Sequence, residues 1–183
     1  LLVVEIACTG SKLLARASLS VSSGRGSETE TRGDDGIFWG TRAFSKGVDI
    51  PTGAAAAWTL CDGGSPRHDG SFVIGPGKPV TLVLAMESTF GHDAPREAVK
   101  ASLGERAGVR QDHEAWWEEY WRRSSVSIDD PVIEKQYYLS LYGMGSCSRD
   151  PEFPPNIFGW VTTDNPLWSG DYHLNYNHQA PFY

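Results

Sequence analysis

Short apolar runs separated by turn-forming residues fill the first half of the chain. Each run is bounded by Gly, Pro, Ser or Asp, and runs of this length and spacing predict β-strands. The predicted strands are Leu1–Cys8, Leu13–Val21, Ile37–Phe44, Ala54–Cys61, Phe72–Ile74 and Val80–Met86. Short strands joined by frequent turns are typical of a β-sandwich or part of one.

Two stretches between these strands carry turn or loop signals. The run Gly75-Pro76-Gly77-Lys78-Pro79 cannot continue a strand ladder, because Pro has no amide hydrogen, so it should join two antiparallel strands. The stretch from Ser22 to Gly36 is wholly polar, which predicts a long surface loop.

The hydrophobic period lengthens in the second half, where helices are predicted. In the first helix Asp93 is a candidate N-cap, Pro95 lies in the first turn, and Val99, Leu103 and Ala107 recur every four residues. This helix is predicted to link two domains.

A second helix is predicted over Gln111 to Arg123. Its aromatic residues form i, i+4 pairs on one face, an arrangement that is more often core than binding surface. The pairs are Trp116 with Tyr120 and Trp117 with Trp121.

The third predicted helix has the clearest start. Asp130 can cap it and Pro131 occupies the first helical position. One face then carries Ile133, Tyr137, Leu141 and Met144, and the helical pattern ends near Gly143 and Gly145. From Ser148 to Gly170 the chain is rich in Pro, Asn, Asp and Trp, which predicts an ordered loop.

Composition changes at the same place as the hydrophobic period. Residues 1–91 hold 14 of the 20 glycines, whereas residues 92–183 hold all seven tyrosines and five of the seven tryptophans. The sequence therefore predicts a multidomain fold of β followed by α structure. The chain begins without Met and ends at Tyr183 without a polar tail, so we expect an internal piece of a longer polypeptide, which would be its partner.

Charge and composition exclude several classes of function. The net charge of −7 argues against a nucleic-acid partner, which needs clustered Lys and Arg. No window approaches the run of about 18 apolar residues that a membrane-spanning helix requires. The three cysteines, Cys8, Cys61 and Cys147, are widely spaced, so buried free thiols are favoured over a zinc site or a disulfide framework.

Candidate chemistry concentrates at the end of the chain. Aromatic residues make up six of the last 24 positions, compared with 11% of the whole chain. Amides, carboxylates and imidazoles alternate with them, namely Asp164, Asn165, Asp171, His173, Asn175, Asn177, His178 and Gln179. Aromatic faces contact sugar C–H groups, and neutral polar groups hydrogen-bond hydroxyls. This combination predicts a carbohydrate ligand, whereas a phosphate site would need Lys, Arg or a glycine-rich helix entry.

The spacing of His173, Asn175 and Asn177 favours a shared site. In an extended segment these three side chains face the same side. An Asn amide does not titrate usefully, but its carbonyl oxygen can orient a water if a carboxylate holds its NH₂ group. The alternative is that these amides cap turns and bond backbone groups.

The sequence leaves the roles of His178 and Asp171 open. His173 and His178 lie five residues apart with no evident third ligand, which favours hydrogen bonding over zinc. Asp171 could be an acid, a sugar-hydroxyl acceptor or a turn former.

Two motifs stand out near the end of the chain, Pro154-Pro155-Asn156-Ile157-Phe158-Gly159-Trp160 and the stretch Pro166–Asn177, which reads PLWSGDYHLNYN. Both resemble motifs of glycoside hydrolase family 95, the α-L-fucosidases and α-L-galactosidases. Residues 116–124 and 134–139 also resemble that family's linker and first barrel helix. The resemblance covers about residues 70–180. It implies that 1–91 are the C-terminal part of a β-sandwich, 92–128 a helical linker and 129–183 the beginning of an (α/α)₆ barrel.

The same resemblance implies an inverting exo-glycoside hydrolase that removes a terminal α-linked L-fucose or related sugar. Asn175 and Asn177 match the pair that positions the nucleophilic water, while the assisting Asp and the general acid Glu would lie beyond Tyr183. The chain alone should therefore be inactive. Residues expected to bind the substrate are His173, Asp171, Trp168, Tyr172 and His178.

Neither a metal nor an organic cofactor is expected, and the glycan substrates of the family imply a secreted, periplasmic or cell-surface location. Two alternatives remain open. One is a noncatalytic carbohydrate-binding or surface protein with the same fold. The other is a related helical-barrel glycosidase or phosphorylase with another sugar preference.

Overall fold

A computed structural model describes residues 1–22, 27–46, 49–89, 94–151, 154–157 and 167–180. It divides into two compact units, Leu1–Arg110 and Gln111–Tyr183. Within the described residues the fold is mixed, with antiparallel β-sheets first and helices after them, which confirms the predicted order of β and α structure. No helix in this part of the chain is long and apolar enough to cross a lipid bilayer.

The strands of the first unit form two antiparallel sheets. A five-stranded sheet has the order β1-β7-β5-β4-β3, and β2 pairs with β6 in a smaller sheet. The strands are β1 (Leu2–Ile6), β2 (Leu13–Arg16), β3 (Ser27–Asp34), β4 (Ile37–Phe44), β5 (Thr52–Asp62), β6 (Ser71–Ile74) and β7 (Val80–Ser88).

The small sheet packs on one face of the large sheet. Phe72 and Ile74 of β6 are buried in a single cluster with Trp58 of β5 and Val80 of β7. Phe38 of β4 stacks on Trp58, with ring centroids 4.6 Å apart and an interplanar angle of 8°. Burial of these large side chains away from water is the main force that holds the two sheets together.

The opposite face of the large sheet is covered by helix α1 (Pro95–Ser102). The buried cluster there contains Trp39, Ala55, Ala57, Val83, Ala85, Val99 and Leu103. Small alanines on β5 let the helix approach the sheet closely. Arg96 and Lys100 extend over the Trp39 ring at 5.0 and 5.8 Å, adding cation–π contacts to the apolar packing.

The predicted polar loop from Ser22 to Gly36 is wrong, because most of it forms strand β3. That strand pairs along its length with β4, from Ser27 opposite Phe44 to Asp34 opposite Ile37. Asp35 (φ +49°) and Gly36 (φ +77°) make the two-residue connection, which suits their tolerance of positive φ. An edge strand can keep both faces in water, so it needs no apolar alternation.

The turn at Gly75 to Pro79 also differs from the prediction. Lys78 N–H donates to the Gly75 carbonyl at 3.1 Å, so a turn does form. However, β6 pairs with β2 whereas β7 lies between β1 and β5, so the turn joins two different sheets rather than an antiparallel pair. The strand predicted over Leu13–Val21 is likewise shorter and ends at Arg16.

Helix α1 begins and ends at residues other than those predicted. Asp93 lies outside the described residues, and the N-cap position is Ala94, which makes no side-chain capping bond. Val99 and Leu103 are buried as predicted, but Ala107 is exposed and outside the helix. The C-cap residue is Leu103, and the N–H of the following Gly104 donates to the Ala101 carbonyl at 3.0 Å.

The second unit is helical, with α2 (Val109–Arg122), α3 (Pro131–Cys147) and the single-turn helix α4 (Tyr176–Gln179). The predicted cap of α3 is confirmed, because the Asp130 carboxylate accepts bonds from the N–H groups of Val132 and Ile133. The predicted end beyond Gly143 and Gly145 is confirmed to within two residues, since α3 ends at Cys147. On the predicted face Tyr137, Leu141 and Met144 are half-buried, whereas Ile133 in the first turn is 58% exposed.

Helices α2 and α3 meet through the aromatic stripe of α2. Trp117 stacks on Tyr142 with ring centroids 5.1 Å apart, and the Tyr120 hydroxyl donates to the Leu141 carbonyl at 2.8 Å. Burial raises the pKa of the Tyr120 hydroxyl. The stripe is half-buried and packs against a neighbouring helix, in keeping with its interpretation as core.

Gly145 allows the close approach of α2 to α3, so replacing it should change the stability of the protein. A Cβ at position 145 would lie 2.9 Å from Tyr120 Cζ and 3.2 Å from Trp117 Cη2, whereas one at Gly143 would meet nothing within 4 Å. We expect Gly145→Ala to lower the free energy of unfolding by about 1–3 kcal/mol through overpacking. Gly143→Ala should raise it by about 0.5–1 kcal/mol through helix propensity.

Urea denaturation followed by circular dichroism at 222 nm would measure both changes. Effects of the same sign in the two variants would contradict close packing at position 145.

Candidate functional site

The predicted site residues lie in one segment, 167–180, which hydrogen bonds fasten to residues 154–157. A 3₁₀ turn (Leu167–Gly170) is followed by extended residues and then by α4. Ile157, which is fully buried, donates its N–H to the Asp171 carbonyl at 3.2 Å. The Tyr172 hydroxyl donates to the Pro154 carbonyl at 2.6 Å. The two motifs that carry the family resemblance therefore meet in space.

A hydrogen-bonded pair of side chains forms the centre of this segment. His173 Nδ1 bonds the Asp171 carboxylate oxygen Oδ1, and both side chains are about half exposed. The Trp168 ring meets the imidazole edge-on, with centroids 5.1 Å apart and an angle of 64°. In the neutral imidazole, a proton held at Nδ1 leaves Nε2 as an acceptor, which suits it to receive a hydroxyl hydrogen.

The backbone beneath this pair has an uncommon conformation. Trp168 has a φ of +54°, in the left-handed region that bulky residues rarely adopt. The Asp171 N–H donates to the Trp168 carbonyl at 3.3 Å and closes the turn. Such conformations cluster at binding and active sites, where surrounding contacts hold them in place.

The two asparagines do not lie in one extended strand, so that part of the prediction is wrong. Asn175 is the N-cap of α4, and its side-chain oxygen accepts the Asn177 N–H at 3.1 Å. Asn177 therefore lies in the helix, and the two-residue alternation that includes His173 stops at Asn175. The local reason is that a capping Asn satisfies the open N–H groups of a helix start.

Other predicted residues have defined places. His178 Nε2 bonds the Pro155 carbonyl at 3.3 Å, which fits the preference for hydrogen bonding over zinc. Among the described residues, no group of three or more His, Cys, Asp or Glu side chains could hold a metal ion. Asp164 and Asn165 lie outside the described residues.

Sequence reasoning missed the role of Asp171 as the partner of His173. Local sequence left this carboxylate as an acid, a sugar-hydroxyl acceptor or a turn former, and the structure makes it an acceptor for the imidazole. The Asp-x-His spacing was the available signal, because side chains two residues apart in an extended segment lie on the same side.

The exposed surface of this segment combines aromatic rings, two leucines and polar side chains, and Asp171 is its only carboxylate among the described residues. Trp168, Tyr172 and Tyr176 are 55%, 47% and 75% exposed, and residues 167–180 contain no Lys or Arg. Exposed ring faces beside amides and an oriented imidazole suit a ligand rich in hydroxyl groups.

Comparison with known proteins finds two relatives of part of this chain. Probable alpha-fucosidase A of Aspergillus oryzae is 48% identical over 54 residues, which is 27% of this chain and 7% of that protein. Part of this chain is related to α-fucosidases. Probable alpha-fucosidase A of Aspergillus niger is 42% identical over 52 residues, with the same shares of each chain. The match thus spans about 7% of the length of either relative. No protein-family model matches the chain.

Proposed function

We propose that this chain is part of a glycoside hydrolase that removes a terminal α-linked L-fucose, or a related sugar, from an oligosaccharide or glycan. The observation that carries the proposal is the segment of 54 residues that is 48% identical to a probable α-fucosidase. The aromatic segment that holds His173 against Asp171 and Trp168 supports it, because it offers groups that suit a sugar.

In the proposed reaction the enzyme inverts the configuration at the anomeric carbon. Asn175 and Asn177 position the attacking water, and an Asp from outside these 183 residues holds their amides. A Glu on the opposite side protonates the leaving oxygen, as inversion requires a base and an acid separated by room for a water. The side chains of His173, Asp171, Trp168, Tyr172 and His178 contact the sugar.

We also propose the domain organisation that the resemblance to glycoside hydrolase family 95 implies. Residues 1–91 belong to a β-sandwich, 92–128 to a helical linker and 129–183 to the start of an (α/α)₆ barrel. We place the whole protein outside the cytoplasm, where glycans with terminal fucose are accessible.

The proposal is tested by assaying the polypeptide that contains this chain together with its complete catalytic domain. We expect release of L-fucose from p-nitrophenyl α-L-fucoside and from a fucosylated oligosaccharide, and no release by the 183-residue chain alone. Proton NMR of the first product should show β-L-fucose, because the configuration inverts.

Three other results would contradict this assignment. Initial release of α-L-fucose would indicate retention and remove the role of a positioned water. Binding of fucosides without hydrolysis would favour a carbohydrate-binding protein. Cleavage that requires inorganic phosphate would favour a phosphorylase.

A further inference from the structure

A cleft of about 220 Å³ lies in the first unit, between the end of the small sheet and the β3 edge of the large sheet. Arg16, the last residue of β2, lines it together with Thr31 and Arg32 of β3. This volume is below the roughly 300–1,000 Å³ of sites for drug-sized ligands, so the cleft suits a smaller ligand.

Arginine side chains line this cleft, although acidic residues outnumber basic ones in the chain as a whole. The chain carries a net charge of −7, yet two arginines and His68 line the cleft against one carboxylate, that of Asp69. Hydrogen bonds from Ser71 lower the pKa of Asp69, so its carboxylate is ionised at neutral pH. Asp69 Oδ1 accepts the Ser71 N–H at 3.0 Å, within the turn. Glu30, the partner of Arg32, balances the remaining positive charge when His68 is neutral, so an anion is recognised here through the arginine donors and not through net charge.

Both arginines are held through one nitrogen of the guanidinium group. Arg16 Nε donates to the Asp69 carbonyl at 3.0 Å, and Arg32 Nε bonds Glu30 Oε1 at 2.7 Å. A bond at Nε leaves the two terminal amino groups of a guanidinium as further donors. A guanidinium fork of this kind pairs with the two oxygens of a carboxylate.

The rest of the lining suits the other parts of a sugar ring. Ser18 and Thr31 supply hydroxyl groups that both donate and accept hydrogen bonds. Phe38 supplies an apolar wall, and its ring is held by stacking on the buried Trp58. Cation, hydroxyl and aromatic groups thus line one small space.

We infer that this cleft binds a single sugar unit that carries a carboxylate, a uronic acid. The carboxylate pairs with Arg16 and Arg32, the ring hydroxyls bond Ser18 and Thr31, and the C–H face of the ring lies against Phe38. This inference uses residues of the first unit only, so it stands whether or not the protein hydrolyses fucosides.

Titration of the 183-residue chain with D-glucuronate, followed by isothermal calorimetry or amide NMR shifts, tests the inference. We expect binding with a roughly millimolar Kd, at least about tenfold weaker binding of D-glucose, and weakening as salt is raised. Arg16→Gln and Arg32→Gln should each reduce the affinity for glucuronate about tenfold or more.

Arg122→Gln is the matched control, because Arg122 on α2 is also an exposed arginine paired with a glutamate, Glu118. It should leave glucuronate binding unchanged. Equal binding of glucuronate and glucose, or an equal loss in Arg122→Gln, would overturn the inference. Competition by inorganic sulfate as effective as glucuronate would overturn the sugar assignment, because the cleft would then recognise charge alone.

Arg16→Gln removes the bond to the Asp69 carbonyl, so its melting temperature must be compared with that of the unchanged chain. If that variant fails to fold, Arg32→Gln decides the question, because the Arg32 side chain is 70% exposed and its contact with Glu30 is a surface ion pair.

Discussion

Replacing Gly70 by alanine is expected to lower the free energy of unfolding of the first unit by about 2–4 kcal/mol. Gly70 has a φ of +79°, and a Cβ there would lie 2.3 Å from the Ala17 carbonyl oxygen. The clash is with backbone, so a rotamer change cannot relieve it. The same two residues are joined by the Ala17 N–H bond to the Gly70 carbonyl at 3.1 Å, which fixes their separation.

Gly77→Ala separates the effect of backbone conformation from that of contact. Gly77 has a φ of +64°, but a Cβ there would meet nothing within 4 Å. The free energy of unfolding of Gly77→Ala should therefore fall only by the cost of a positive φ in a residue with a Cβ, about 1–2 kcal/mol. Urea denaturation followed by tryptophan fluorescence measures both variants, since Trp58 Cζ2 lies 3.5 Å from the Cβ position at Gly70. Equal losses of unfolding free energy in the two variants would show that the contact with the Ala17 carbonyl adds nothing to the cost.

Replacing Asn177 by alanine is expected to lower the rate of fucoside hydrolysis by about 10² or more, in the polypeptide that carries the complete catalytic domain. The proposed reaction needs the Asn177 amide to hold the attacking water. The substitution should disturb the fold little. The Asn177 group that bonds the N-cap oxygen of Asn175 is its backbone N–H, which alanine also has, and alanine favours helix. The measurement is kcat/KM for p-nitrophenyl α-L-fucoside, with circular dichroism to confirm folding.

Two further variants, one in α4 and one at its N-cap, accompany Asn177→Ala. Gln179→Ala changes an exposed amide of α4 outside the proposed pair and should leave kcat/KM unchanged. Asn175→Ser keeps an N-cap oxygen but removes the amide, so it should lose activity while the helix remains capped. Wild-type activity in Asn177→Ala would refute a water-positioning role for this residue.

The sequence predicted those elements whose ends are determined by local chemistry. Asp130 and Pro131 define the start of α3 because a carboxylate cap and a first-turn proline act within a few residues. Strand β3 escaped prediction because its exposed residues are polar, and what holds it is pairing with β4 along the edge of the sheet. The Asp35-Gly36 pair was the available signal, since this dipeptide favours a two-residue hairpin turn.

The candidate site was predictable in composition but not in arrangement. The segment of His173 and Asn175 could be picked out by its mixture of aromatic and amide residues. That Asn175 caps a helix depends on where the chain turns, which the two-residue spacing alone does not determine. The pairing of β6 with β2 instead of β7 could not be predicted from local sequence either. Burial of Phe72 and Ile74 selects a partner strand that is distant in the chain.

Asp171 joins the fixed and the exposed parts of the candidate site. Its main-chain carbonyl accepts from the fully buried Ile157, while its carboxylate holds the half-exposed imidazole of His173. The backbone of Asp171 thus helps to attach the segment, together with the side chains of Tyr172 and His178, and its own side chain orients the imidazole. A substitution at position 171 is therefore expected to release the imidazole of His173 while the main-chain bond to Ile157 is kept, so the proposed sugar contacts can change without a change in chain path.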